Sequence, residues 1–314
     1  MERVVVVEDL HKSYGALEAV RGVSFTVERG EVFALLGPNG AGKTTTVEIL
    51  EGFRSRDRGR VSVLGHDPAS RSRAMRERVG IVLQELAVEP MLTVREVLTR
   101  TAGYYPDPRP VDEVVELVGL AEKARARVKT LSGGQQRRLD LGMGIIGRPE
   151  LVFLDEPTTG FDPSARRGAW DLVRTLTEGG TTVILTTHYM DEAEALADEV
   201  AVVAAGRIVG SGPPDALGGR DEGAVTIRFR LPDVPGTPEL PAALARMCTT
   251  RSVATDPVEI TTDDEVRVLH DLTTWSIDSG VPLAGLALER STLEDVYLRL
   301  TGSEHGASQP GRQS

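Results

Sequence analysis

Cysteine is almost absent from this chain of 314 residues: Cys248 stands alone, which rules out a disulfide within the chain and fits a reducing compartment. Long apolar stretches are missing as well. No run approaches the ~20 residues that a membrane-spanning helix needs, so any membrane role has to be borrowed from a partner. The N-terminus, Met1-Glu2-Arg3 followed by Val4 to Val7, lacks the longer apolar stretch and small-residue cleavage site of a signal peptide. Lysine is confined to positions 12, 43, 123 and 129, a compositional bias from which no function follows. A surplus of positive charge is lacking too. The net charge of −11 argues against a sequence-independent grip on nucleic acid, which needs clustered Lys and Arg to displace counterions from phosphates.

What is present is enough for a large domain and a small one. Over the first ~220 residues short β-type runs alternate with helical patterns, the mark of an α/β domain with a largely parallel sheet. Expected strands cover Arg3 to Glu8, Val32 to Leu36, Val79 to Leu83, Leu151 to Leu154, Thr182 to Leu185, Val200 to Val203 and Arg207 to Ser211. Between Val94 and Arg148 helical pattern takes over, and residues 86–148 read as a helical insertion between two sheet strands. Past Leu217-Gly218-Gly219 the texture changes to a strand at Val225 to Leu231, prolines at 232, 235, 238 and 241, a helix near Val266 to Ser276 and a strand near Leu283 to Leu288. The expected division is therefore 1–220, a small α+β domain at 221–302, and a polar disordered tail at 303–314. Ser291 and Thr292, three residues before Glu294 and Asp295, offer capping-box chemistry for a last helix with Leu293, Val296, Tyr297 and Leu300 on one face.

Chemistry concentrates in a few segments. Gly37-Pro38-Asn39-Gly40-Ala41-Gly42-Lys43-Thr44 has two glycines, a lysine and a hydroxyl at the spacing of a phosphate-binding P-loop, a pattern expected by chance with probability below about one per cent. Glycines let backbone N–H groups curl around phosphates, the following helix offers its electropositive end, Lys43 adds a point charge and Thr44 can ligate Mg²⁺. The apolar strand Leu151 to Leu154 ends in Asp155 and Glu156, read as a metal carboxylate and a general base. Leu131-Ser132-Gly133-Gly134-Gln135 opens a helix, and is either a second anion site or a capped helix start.

In this order the motifs resemble the ATP-binding subunits of ABC transporters: the P-loop, Gln84 in Val82-Leu83-Gln84-Glu85, Leu131 to Gln135, Asp155-Glu156, Thr159-Gly160-Phe161-Asp162-Pro163, and His188 in Thr187-His188-Tyr189. The resemblance covers roughly residues 3 to 220. Within that family, the run Leu154 to Pro163, Asp191-Glu192-Ala193-Glu194 and Leu293-Glu294-Asp295-Val296-Tyr297 look like the drug-resistance exporters of the ABC-2 type. The implied fold is a P-loop ATPase core with a largely parallel sheet, an antiparallel β subdomain and a helical subdomain.

The resemblance implies roles residue by residue. ATP and Mg²⁺ are the implied ligands, held by Gly37, Pro38, Asn39, Gly40, Ala41, Gly42, Lys43, Thr44 and Thr45, with Tyr14 stacking on adenine. Two copies would meet head to tail, so that ATP on one is closed by Ser132, Gly133, Gly134 and Gln135 of the other. Gln84 would sense the γ-phosphate and the metal, alongside Thr44 and Asp155, and report to the membrane subunit. Glu156 would activate water, His188 would act with it on the γ-phosphate, and Asp162 would couple the two sites. Phe161 departs from the leucine the family most often has there, which touches only fine packing. The implied partner is an integral membrane permease of ABC-2 type, with the chain peripheral on the cytoplasmic face. An ATPase subunit of an importer, or an ABC ATPase acting without transport, are the alternative readings.

Overall fold

The structure is a computed structural model that describes residues 2–82, 88–217, 225–232, 238–248, 257–290, 293 and 297. The chain divides into two units, residues 1–214 and 215–314.

In the first unit the strands are β1 (Arg3–Tyr14), β2 (Leu17–Glu28), β3 (Val32–Leu36), β4 (Arg58–Val63), β5 (Val79–Val82), β6 (Leu151–Asp155), β7 (Thr182–Thr187), β8 (Glu199–Ala204) and β9 (Arg207–Gly212). The helices are α1 (Lys43–Leu50), α2 (Arg73–Arg76), α3 (Val94–Ala102), α4 (Val111–Leu117), α5 (Gly133–Ile145), α6 (Pro163–Glu178) and α7 (Met190–Leu196). Six strands form one sheet in the order β5-β6-β7-β3-β8-β9, parallel except for the β8–β9 pair. All five residues of β3 and all six of β7 are buried, as expected for parallel strands covered on both faces, whose sequences read as apolar runs without alternation. The carboxyl ends of β3, β6 and β7 deliver the P-loop, Asp155 and Thr187 to one edge of this sheet, the usual location for ligands in such folds.

A separate antiparallel sheet has the order β2-β1-β4. Sequence periodicity ended β1 at Glu8 and passed over β2 and β4. The reason is local: Asp9 adopts φ 48° and Gly22 φ 77°, and the register shifts at several points along β1 and β2, so the apolar alternation is broken. In β4 only Val61 and Val63 are buried, and its first half is Arg-Gly-Arg. Between β5 and β6 lie the helices α3, α4 and α5, as the helical pattern predicts. Thr93 caps α3 through a capping box with Glu96, and the amphipathic face of that helix buries Val94, Val97 and Leu98.

The second unit contains a three-stranded antiparallel sheet, β11-β10-β12, from β10 (Val225–Arg230), β11 (Val258–Thr262) and β12 (Ala284–Arg290), with helices α8 (Ala242–Ala245) and α9 (Glu265–Ser279). Val225, Ile227 and Phe229 alternate onto the buried face of β10, where Ile227 and Phe229 join Leu244, Val258, Ile260, Val268 and Leu272 in one core. Periodicity captured β10, α9 and β12 and missed β11 and α8, each of five residues or fewer. Of the expected last helix, Leu293 is buried and Tyr297 half-buried; its other residues, the expected tail and the 218–224 connection lie outside the described residues. Among the described residues no helix is long and apolar enough to cross a membrane.

Candidate active site

The P-loop is shaped by two crowded glycines. A Cβ on Gly37 would lie 2.3 Å from the Val203 carbonyl oxygen, and one on Gly42 would lie 2.3 Å from that of Ala19, where φ is also 103°. Any side chain would drive the loop off its neighbours. Pro38, Asn39 and Gly40 stand exposed at the tip, while the Ala41 methyl is buried in the core of the unit. Lys43 opens α1 and is only 4% exposed; its Nζ donates to the carbonyls of Gly37 (2.6 Å) and Pro38 (3.0 Å). Burial pulls its ammonium below the usual lysine range, opposed by the charges of Glu156 and Asp155. Thr44 is exposed and Thr45 half-buried, and the Thr46 hydroxyl donates to Gly42 O at 2.9 Å.

At the end of β6, Asp155 pairs in register with Thr186 of β7, whose hydroxyl donates to Asp155 Oδ1. The Glu156 N–H donates to both the carbonyl and the hydroxyl oxygen of Thr186, each at 3.1 Å. Glu156 itself sits at φ 47°, the left-handed region that a residue with a side chain occupies only when its surroundings hold it there. Its carboxylate faces His188 Nδ1 at 3.3 Å and accepts from the Thr159 hydroxyl at 3.2 Å. The His188 ring lies 4.0 Å from that of Tyr189, and the Arg166 guanidinium, paired with Asp191 at 2.7 Å, lies 4.6 Å from the Tyr189 centroid. Glu156 and His188 thus meet.

Ser132 and Gln135 cap α5 reciprocally: the Ser132 hydroxyl accepts from Gln135 N–H at 3.3 Å, and the Gln135 side chain accepts from Ser132 N–H at 3.0 Å. Nothing lies within 4 Å of a Cβ built on Gly133, and only Ala165, at 4.0 Å, on Gly134, so this helix start is open on its outer side. Asp162 caps α6 by accepting from Ala165 N–H at 2.9 Å. Tyr14 ends β1 and is 40% exposed, and the cations of Arg54 and Lys12 lie 5.2 and 5.6 Å from its ring centroid. Arg54 is in turn tied to Glu48 on α1 at 2.5 Å. Gln84 lies outside the described residues.

Sequence reading passed over several groups here. Thr186 carries no motif of its own; its place opposite Asp155 follows from strand register. Arg137 follows the Ser132-to-Gln135 segment closely, yet only the fold shows that its guanidinium donates to the carbonyls of Asp155, Glu156 and Pro157. Glu192, which the sequence offers only within the run Asp191 to Glu194 and without a role, is 1% exposed and accepts from the Trp170 indole at 3.3 Å; burial raises its carboxyl above the usual range.

With this geometry in place, comparison with known proteins is informative. The ABC transporter family matches residues 20–159, and the C-terminal domain of ABC transporter domain-containing-like proteins matches residues 225–292. The daunorubicin resistance ATP-binding protein DrrA3 of Streptomyces coeruleorubidus is 38% identical over 96% of this chain and 97% of its own. The Nod factor export ATP-binding protein I of Bradyrhizobium diazoefficiens is 40% identical over 94% of this chain and 95% of its own. Among solved structures, an ATP-binding subunit of an ABC transporter superposes with a TM-score of 0.63 at 27% identity, over 68% of this chain and 90% of that one.

Proposed function

This chain belongs to the ATP-binding proteins of ABC transporters, and from that membership we propose that it hydrolyses ATP to drive an exporter of the ABC-2 type, for drugs or other hydrophobic compounds. The observation that carries the proposal is the likeness across nearly the whole chain, second unit included, to proteins named for drug resistance and for export.

The chemistry of the donor set fits the nucleotide. A backbone cradle open at Pro38 to Gly40, a lysine buried among carbonyls, and a helix N-terminus behind it suit a polyphosphate, whose oxygens would replace the Gly37 and Pro38 carbonyls as partners of Lys43. The exposed Thr44 hydroxyl and the Asp155 carboxylate are the hard oxygen donors that Mg²⁺ prefers, with Gln84 as a third group. Bound there, the ion would neutralise charge on the transferring phosphoryl oxygens. Glu156 accepts the proton of the attacking water, and His188, at 3.3 Å from it, orients that carboxylate and contacts the γ-phosphate. Tyr14 stacks on adenine through the exposed part of its ring.

Hydrolysis in this reading needs two copies. Ser132 to Gln135 of one copy closes on ATP held by Gly37 to Thr45 of the other, and Asp162 couples the two sites. Closure around two nucleotides moves the membrane permease, with the chain peripheral on the cytoplasmic face, and hydrolysis resets it. The decisive experiment expresses the chain with its natural membrane partners and asks for co-purification and for compound-stimulated ATPase activity. If it never co-purifies with a membrane subunit, the proposal falls.

A further inference from the structure

Arg137 lies in the interior of the unit and reaches into the backbone that carries the acidic pair. It is 8% exposed, on the second turn of α5. Its Nη2 donates to Asp155 O at 2.7 Å and Glu156 O at 3.2 Å, its Nε donates to Pro157 O at 3.1 Å, and its Nη1 faces Asp140 Oδ2 at 3.0 Å. One planar guanidinium therefore spans three consecutive carbonyls, with a buried carboxylate balancing its charge. The middle of those carbonyls belongs to Glu156, whose φ of 47° requires support from outside its own segment. On the other side the Glu156 N–H is held by Thr186.

The helix that presents Arg137 begins at Ser132, its N-cap, one turn earlier. A helix of 13 residues moves as a rigid body over so short a distance, so displacement of Ser132 displaces the guanidinium by a comparable amount. We infer that Arg137 is a positioning residue: it holds the backbone of Glu156 for hydrolysis, and it transmits the position of Ser132 to that residue. A copy whose Ser132 is engaged by the nucleotide of its partner would thus have its own Glu156 set for water activation. The inference rests on the proposed roles of Glu156 and Ser132.

Arginine matters here for its fork. Lysine keeps the charge beside Asp140 but gathers its three donors on one nitrogen, which cannot reproduce the separated Nε and Nη2 that meet the three carbonyls. A second variant removes charge from both partners at once, Arg137→Met with Asp140→Leu, leaving no buried charge unpaired.

The test measures ATPase kinetics and thermal midpoint of the full chain with its permease for Arg137→Lys, the Arg137→Met/Asp140→Leu double variant, Ser132→Ala and Glu156→Gln. Expected are a fall in kcat of at least tenfold in both Arg137 variants, with KM for ATP within twofold of the parent. Ser132→Ala combined with Arg137→Lys should lose less than the product of the two separate losses, because both act on one connection. Parental kcat in the folded double variant would show that Arg137 serves only to neutralise Asp140, and would overturn the inference. So would a rise in KM that accounts for the loss, or independent effects of Ser132 and Arg137. Glu156→Gln at the parental rate would instead sink the assignment of the base on which the inference stands.

Discussion

Glu156 Oε1 and His188 Nδ1 stand 3.3 Å apart although 32 residues separate them in the chain. Parallel pairing of β6 with β7 creates the contact, because Asp155 is opposite Thr186 and Glu156 and His188 follow their strands out at the same end of the sheet. Both side chains are partly withdrawn from water, with 11% of the Glu156 side chain and 32% of the His188 side chain exposed. The Glu156 carboxylate, the proposed base, is thereby held in one orientation by an imidazole and by the Thr159 hydroxyl.

Replacing Glu156 by Gln should leave ATP affinity intact and lower kcat by roughly 10²- to 10⁴-fold, the range expected for loss of a positioned base. His188→Ala should also lower kcat, and in the Glu156→Gln background it should add little. Steady-state kinetics alongside equilibrium nucleotide binding separates the two effects. A Glu156→Gln protein that hydrolyses at the parental rate defeats the assignment.

Lys43→Ala removes the ammonium that the proposed reading sets against the phosphates and should abolish measurable ATP binding while the protein stays folded. The lysine serves two loop carbonyls, of which that of Pro38 lies at the exposed tip where water can replace the ammonium. Fluorescent-nucleotide titration and circular dichroism provide the check.

Tyr14→Ala should weaken ATP and ADP binding by about 1–3 kcal/mol, the typical contribution of stacking a base on an aromatic side chain. Binding of tripolyphosphate, which has no base, should be unchanged. Equal weakening of both ligands would place Tyr14 elsewhere in the mechanism.

A fourth expectation concerns pH. Glu150 is clamped between Arg78, with contacts at 2.5 and 2.9 Å, and Arg29, at 2.9 Å, tying the start of β6 to the segments before β5 and β3. Hydrogen bonds from Arg78 hold its carboxyl at about 2, against burial and with help from Arg29. Because the folded value lies below the ordinary 4.5, the stabilisation is present above pH ~4.5 and is lost as pH falls toward 2. The thermal midpoints of the parent and Glu150→Gln should therefore differ at neutral pH and converge on acidification. A constant difference across that window would remove Glu150 from the acid response.

Much of the active-site chemistry is local in sequence and was legible there. A P-loop needs glycine where the backbone approaches Val203 and Ala19, lysine at the helix start and a hydroxyl beside it, and these follow one another within eight residues. The strands β3, β6 and β7 were legible for a related reason: central parallel strands are buried on both faces and must be apolar throughout. Edge and bulged strands escape that rule. β2 and β4 carry polar residues on their open faces, and hydrogen bonding to a partner strand, which no single segment encodes, made them strands.

What the sequence determined alone is therefore the inventory: a nucleotide loop, an acidic pair at a strand end, a glycine-rich helix start, and a chain without a membrane-length apolar run. Tertiary structure decided which of these touch. Thr186 meets Asp155 because two parallel strands share a register, and Arg137 reaches three carbonyls of the acidic segment because α5 packs beside it. Neither contact is encoded in spacing along the chain. Both depend on burying the sheet and its covering helices together, which brings residues distant in sequence within hydrogen-bonding distance and makes their polar groups satisfy one another in place of water.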